Sequence, residues 1–264
     1  MADENAIARA DVRLEQPIIH KIGAADLRDA LAKGLSDFNA KPSHLVFLYL
    51  IYPFIGLVLV RLSAGYAMLP LVFPLMSGFA LVGPLSAIGL YELSRRRELG
   101  LDLSLGHLAG ILKSHSITSI ALLSLVLLAI FLLWLGVAQG IYVVMFGDTV
   151  PESVLAFARQ VFTTSAGWGL IIIGSGVGFL FAVAVLTISV VSFPMLLDRD
   201  VGIVMAVRTS IRAVLANPVT MAMWGIVVAG ALVIGSLPLF LGLTVVLPVL
   251  GHATWHLYRR VVEY

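Results

Sequence analysis

Apolar residues gather into six runs, at 45–61, 69–91, 117–144, 168–197, 219–236 and 239–257, separated by polar segments. A helix crossing about 30 Å of hydrocarbon needs roughly 20 mainly apolar residues, so the pattern predicts an all-α membrane protein with six transmembrane helices. The third and fourth runs exceed that length, which tilt or helix continuing past the headgroups accommodates. Pro53, Pro74, Pro84, Pro194 and Pro248 fall within runs and are expected to kink them for packing. The second run also holds Gly78, Gly83 and Gly89 and is expected to be the most irregular. A hinge, or an opened backbone lining a cavity, is the alternative reading of that run.

The polar segments carry a pattern of their own. In 24–40, Leu27, Leu31, Leu35 and Phe38 recur at helical spacing, while Asp26, Asp29, Lys33 and Asp37 fall on the other side. Asp29 with Lys33, and Lys33 with Asp37, are spaced to pair on an exposed face, and the whole reads as a helix lying on the inner leaflet. Segment 203–216 repeats the design. Ile203, Val207, Ile211 and Val214 form its apolar side and Arg208 and Arg212 point toward water or phosphate, before Asn217-Pro218 resets the chain. A weaker version occupies 104–115, through Leu105, Leu108 and Leu112. Each interfacial helix followed by two spans makes one unit, so the chain reads as three helix-plus-hairpin units, either by internal duplication or by the arithmetic of six spans. On the opposite side, 150–164 predicts a short surface helix. A polar tail over 1–23 then precedes a single membrane domain over 24–264.

Charge gives these elements an orientation. Of seventeen lysines and arginines, only Arg61 and Arg159 fall outside the N-terminal segment, 92–113, 198–217 and the C-terminal tail. Basic residues in short loops stay cytoplasmic, which predicts both chain ends inside and a multi-pass protein of a bacterial inner membrane. Arg61, near the end of the first run, is read as snorkelling to the outer headgroups. The first 40 residues contain no apolar core of a cleavable signal peptide, so the first span is expected to direct insertion. With 60% hydrophobic and 12% charged residues and a mean hydropathy of +1.03, a soluble domain is excluded. The net charge of +2 is distributed around spans rather than along one stripe, which argues against nucleic acid and for anionic lipid headgroups. There is no cysteine, hence no disulfide framework and no thiolate chemistry.

Candidate chemistry is sparse. His44, His107, His115, His252 and His256 map near the inner face, and His252 and His256 stand one helical turn apart, a spacing that can hold one metal ion. No glutamate completes a zinc-protease pattern, and hydrogen bonding to headgroups or backbone is the expected role, with no cofactor. Arg95, Arg96 and Arg97, with Arg208, Arg212, Arg259 and Arg260, are the candidate contacts to lipid or a partner at the inner face. Gly136 with Gly140 and Gly174 with Gly178 predict close helix packing within the chain, contact with another subunit being the alternative. Ser77, Ser86, Thr187, Ser189 and Ser192 are the hydroxyls that a transport path would use, and interhelical hydrogen bonding is their plainer role. Glu92, His252 and His256 form the one polar set from which a lipid-directed enzyme could be built, provided they converge.

Four stretches carry a resemblance: FPLMSGFALVGP at 73–84, GLYELSRRRE at 89–98, SFPMLLDRD at 192–200 and GHATWHLYR at 251–259. Together they resemble the bacterial integral-membrane family DUF2189, across most of the chain after about Gln16. The resemblance implies a membrane protein and brings no established activity. Some family members carry a cytochrome oxidase subunit label, but a haem–copper core needs many intramembrane histidines and those here lie near one face. The expected function is a non-catalytic accessory, assembly or scaffold component of a membrane complex, respiratory complexes included. It would have a membrane-protein partner or a second copy of itself at its side, and the alternative is a small-solute transporter or channel.

Overall fold

The computed structural model describes residues 17–40, 56, 66–81, 83–102, 116–238 and 241–264. In chain order, β1 (Ile18–Ile19) leads into α1 (Ala24–Ala40). A 3-10 helix (Tyr66–Leu71) is followed by α2 (Val72–Leu81), α3 (Gly83–Ser86) and α4 (Ile88–Glu98). Next come α5 (Ile117–Phe146), α6 (Val154–Thr163), α7 (Ser165–Ser189), α8 (Ser192–Asp198), α9 (Ile203–Ala216), α10 (Pro218–Ser236), α11 (Leu243–Val261) and β2 (Val262–Glu263). The fold is all-α, as expected, with one two-residue ladder that the hydrophobic pattern does not announce.

Among the described residues, three helical stretches are long and apolar enough to cross a membrane: Ile117–Phe146, Ser165–Asp198 and Pro218–Ser236. They correspond to the third, fourth and fifth expected runs. Gly147, at φ 69°, ends α5 where an L side chain would be strained. Pro218 opens α10 at the position where a missing N–H costs nothing.

The kink expected at Pro194 is a break between α7 and α8, and the sequence contains its repair. Proline removes the N–H that would reach the Val190 carbonyl and crowds that carbonyl with its ring. Val191 N–H, which in an unbroken helix would bond to Thr187, donates instead to Ser210 Oγ at 3.3 Å. The Ser210 hydroxyl in turn donates to the Thr187 carbonyl at 2.7 Å. A side chain of α9 thereby stands in for one missing rung of the fourth run, meeting the Val191 N–H and the Thr187 carbonyl.

Among its described residues the second run passes from the 3-10 helix through α2 and α3 to α4, with a turn at Ala87 between α3 and α4; residue 82 lies outside the described residues. Helix continues beyond residue 91 to Glu98, so Arg95, Arg96 and Arg97 sit in the last turn of α4, where cations suit the helix dipole. The sixth run is α11, shifted four residues toward the C-terminus and amphipathic. It buries Leu250, Gly251, His252, Ala253, Trp255, Leu257 and Tyr258 within the protein. The first run and Pro53, apart from Gly56, lie outside the described residues, as do Arg61, His44, His107, His115 and the 104–115 helix.

Two expected faces are rotated. On α1 the inward positions are Leu27, Ala30, Gly34, Asp37 and Phe38, whereas Leu35 is exposed. A Cβ at Gly34 would stand 2.7 Å from the Val249 carbonyl and 2.7 Å from the Ala253 nitrogen, so the missing side chain lets α1 and α11 meet backbone to backbone. That close crossing turns Asp37, expected on the watery side, into the interior. On α9, whose bounds match the expected 203–216, the buried face is Ala206, Thr209, Ser210 and Ala213. Small side chains let it approach the bundle more closely than the larger Ile203–Val207–Ile211–Val214 stripe. The surface helix expected at 150–164 is α6, capped by Ser153 Oγ accepting from Ala156 N–H at 3.1 Å.

Of the two glycine pairs, Gly178 alone has a close neighbour, and that neighbour is a side chain: its Cβ would meet the Trp134 ring at 3.0 Å. Gly136, Gly140 and Gly174 face open space among the described residues. The Trp134 indole packs between α5 and α7, donating to the Pro74 carbonyl at 3.1 Å and packing on Phe181 at 5.5 Å.

The last part of the segment assigned to a polar tail is docked. Ile18 pairs with Glu263 and Ile19 with Val262 in an antiparallel ladder. Asn217 clamps the same segment, accepting from Ile22 N–H at 2.9 Å and donating to the His20 carbonyl at 3.0 Å. Thr220 donates to the Ile22 carbonyl at 2.9 Å.

Candidate functional site

Helices α1, α4 and α11 converge because two glycines remove the side chains that would hold them apart. Gly34 admits α11 to α1, and Gly251 admits Leu90 of α4, with Ala87 just before that helix, to α11. At the convergence Asp37, Ser94 and His252 are buried. Asp37 Oδ2 accepts from Ser94 Oγ at 2.5 Å and lies 2.8 Å from His256 Nε2. Asp37 Oδ1 accepts from Arg97 at 2.5 Å. Arg97 also donates to Ser36 Oγ at 3.2 Å.

Ser94 Oγ is also 2.7 Å from His252 Nδ1. A hydroxyl has one proton. With that proton on the Asp37 side, His252 Nδ1–H is the donor to Ser94, which assigns the tautomer and leaves Nε2 as a buried lone pair without a hydrogen-bond partner among the described residues. Burial pushes the Asp37 carboxyl up, but the hydrogen bonds from His256 and Ser94 outweigh it and hold the group below its usual value. Asp37 is thus an anion that fixes three elements at once.

A second shell of ion pairs surrounds this centre. Arg95 donates to Glu92 at 2.8 and 3.2 Å, and Arg96 lies 3.6 Å from the same carboxylate. Arg259 reaches Glu98 at 3.1 Å and Asp198 at 3.5 Å. Trp255 donates its indole proton to Glu98 at 3.0 Å, and Tyr258 its hydroxyl to Asp198 at 2.9 Å. Arg260 pairs with Asp29 at 2.7 Å, and Asp29 with Lys33 at 3.0 Å, the latter as its spacing predicts.

The expected site residues therefore separate into groups. Arg95, Arg96, Arg97, Arg259 and Arg260 are held by carboxylates of the chain itself. Arg208 is exposed on α9, and Arg212 is half-buried. His252 and His256 do converge, through Asp37 and Ser94 rather than through a shared ligand site. Among the described residues, no set of three or more His, Asp or Glu has the arrangement of a metal site. Glu92, whose convergence with the histidines a lipid-directed enzyme would need, engages Arg95 and Arg96; the carboxylate that meets the histidines is Asp37. Sequence reasoning missed Asp37 and Ser94. The available signal was Gly34, a glycine in mid-helix that marks a backbone contact and brings the residue three positions later to the same face.

The hydroxyls of the expected transport path bond to their own helices. Thr187 donates to the Val183 carbonyl at 2.7 Å, Ser189 to Val185 at 2.6 Å and Ser192 to Ile188 at 2.6 Å. Ser77 donates to the Pro74 carbonyl at 3.1 Å. Ser77 also lines a cavity of about 200 Å³, walled mainly by Phe73, Trp134, Phe179, Phe181 and Gly178. The side chain of Ser86 lies outside the described residues.

No curated protein and no solved structure matches the chain. A family model described as a predicted integral membrane protein, DUF2189, matches residues 72–198. That range takes in the 73–84 and 89–98 stretches and most of 192–200. It leaves 251–259, with His252 and His256, outside, so the match is narrower than the resemblance read along the chain. Residues 72–198 are thus similar to the integral membrane protein family DUF2189, whose function is unknown.

Proposed function

We propose that the protein is a non-catalytic accessory, assembly or scaffold component of a bacterial inner-membrane complex, crossing the bilayer six times with both chain ends in the cytoplasm. The observation that carries this reading is the pairing of its interior carboxylates within the chain. Asp37, Glu92, Glu98 and Asp198 each engage cations or hydroxyls of the same chain, as a static frame requires and a reaction centre does not. The path hydroxyls are likewise engaged with backbone carbonyls, and the cavity beside Trp134 is largely apolar, which speaks less for a solute pathway.

The even number of crossings has support of its own. Ile18–Ile19 and Val262–Glu263 share one ladder, so in a membrane they stand on one side and the intervening chain crosses an even number of times. The three long apolar helices among the described residues are an odd number, so the proposal assigns the remaining crossings to the first, second and sixth apolar runs. The interfacial helices of the reading are α1 and α9, with α1 also packed against α11.

Purification in mild detergent followed by mass spectrometry tests the function. A partner recovered reproducibly and in fixed proportion is expected. A monodisperse protein without one contradicts the accessory role.

A further inference from the structure

We propose that the outward face of α9 is a contact surface for anionic phospholipid at the inner leaflet, with Arg208 as its phosphate ligand. The inward face, Ala206, Thr209, Ser210 and Ala213, is buried and seats the helix tightly on the bundle. Positions 204, 208 and 215 therefore share the outer side. Val204 is 78% exposed and Leu215 is 72% exposed, with Arg208 between them. Just past the Asn217-Pro218 turn, Val219 is 72% exposed at the start of α10, one of the helices apolar enough to span. Large aliphatic groups displayed on both sides of a cation suit neither water nor hydrocarbon; they suit the boundary, where the aliphatic groups enter the acyl layer and the guanidinium reaches phosphate.

Among the arginines read as inner-face contacts, charge pairing sets Arg208 apart. Arg95, Arg96, Arg97, Arg259 and Arg260 are neutralised by Glu92, Asp37, Glu98, Asp198 and Asp29. Arg208 has no carboxylate partner among the described residues. Lys21 adds a second cation at the end of the same helix, its exposed ammonium donating to the Ala216 carbonyl. The occupant that fits is a bilayer surface bearing negative phosphates rather than an acidic protein, because the flanking groups are long aliphatics continuing toward a lipid-facing span. The proposal rests on the topology above only for the choice of leaflet.

The chain has no cysteine, so Leu215→Cys carries a single bimane label. In vesicles of phosphatidylcholine with about one third phosphatidylglycerol, the label is expected to emit as in an apolar medium and to be quenched by doxyl-labelled lipid. Native mass spectrometry of protein released from the same vesicles should show phosphatidylglycerol retained over phosphatidylcholine. Arg208→Gln should cut that preference about fivefold, the equivalent of ~1 kcal/mol per surface cation. A water-like, unquenched label, which a face reserved for a protein partner would also give, overturns the proposal, as does unchanged lipid preference in Arg208→Gln. Neither readout depends on sidedness, so this contact and the topology can fail separately.

Discussion

Asp37 Oδ2 and His256 Nε2 meet at 2.8 Å although 219 residues separate them in sequence. The contact joins an N-terminal helix that no apolar run predicts to be buried with the last helix of the chain. Ser94 and Arg97 bring α4 into the same junction. One carboxylate therefore ties the matched family region to two helices outside it.

Removing that carboxylate leaves Arg97, Ser94 and His256 without their acceptor. Arg97 is more than a third exposed and regains water, so the loss stays below that of a fully buried pair. Asp37→Ala should destabilise the protein by about 2 kcal/mol, seen as a lower unfolding midpoint in detergent. The pH dependence follows from the depressed carboxyl. A group with a lower pKa folded than unfolded contributes fully above about pH 4, and its contribution is lost as pH falls through the folded value. Asp37→Asn should remove part of the acid-side loss of stability, and an unchanged acid limb would contradict an ionised Asp37.

Glycines divide into those that touch and those that do not. Gly34→Ala should cost about 1–3 kcal/mol, because the new methyl meets backbone atoms of α11 that cannot yield. Gly136→Ala and Gly140→Ala should leave the isolated protein as stable or slightly more so, through better helix propensity. Thermal unfolding of the three variants in one detergent checks the contrast.

Ser210→Ala should leave the Val191 N–H and the Thr187 carbonyl unmet, a cost of about 1–3 kcal/mol. Hydrogen exchange should rise locally around 187–191. Uniform loss of protection across α7 would instead mean that Ser210 does not bridge the break.

Asn217→Ala should release the segment before α1, since it removes the partners of Ile22 and His20. Limited proteolysis is expected to cut near residues 17–23 earlier than in the unaltered protein, while α5 and α10 remain protected. Equal protection of 17–23 would show the ladder to be sufficient without the clamp.

The long helices could be read from the sequence because their signal is local. Residues 117–144 and 219–236 are apolar on every face, so no choice of partner alters their helical state. The rotation of α1 could not be read that way. Whether Leu31 and Leu35 or Gly34 and Asp37 turn inward depends on a helix more than 200 positions away, and periodicity weighs leucine above glycine. The break at Val190–Val191 was foreshadowed by Pro194, whereas its repair by Ser210 comes from another helix. In the candidate site, the spacing of His252 and His256 is legible in the sequence; Asp37 falls on the polar side of its helix, and only the crossing at Gly34 turns it inward to Ser94.

The ladder joining Ile18–Ile19 to Val262–Glu263 is the basis of the proposed topology, and sidedness labelling tests that topology most directly. Single cysteines at Ile18 and at Glu263, partners in the ladder, are exposed to a membrane-impermeant maleimide in inside-out and right-side-out vesicles. Both are predicted to react in inside-out vesicles and to be protected in right-side-out ones. Reaction of one from each side would contradict an even number of crossings and, with it, the pairing of the two ends.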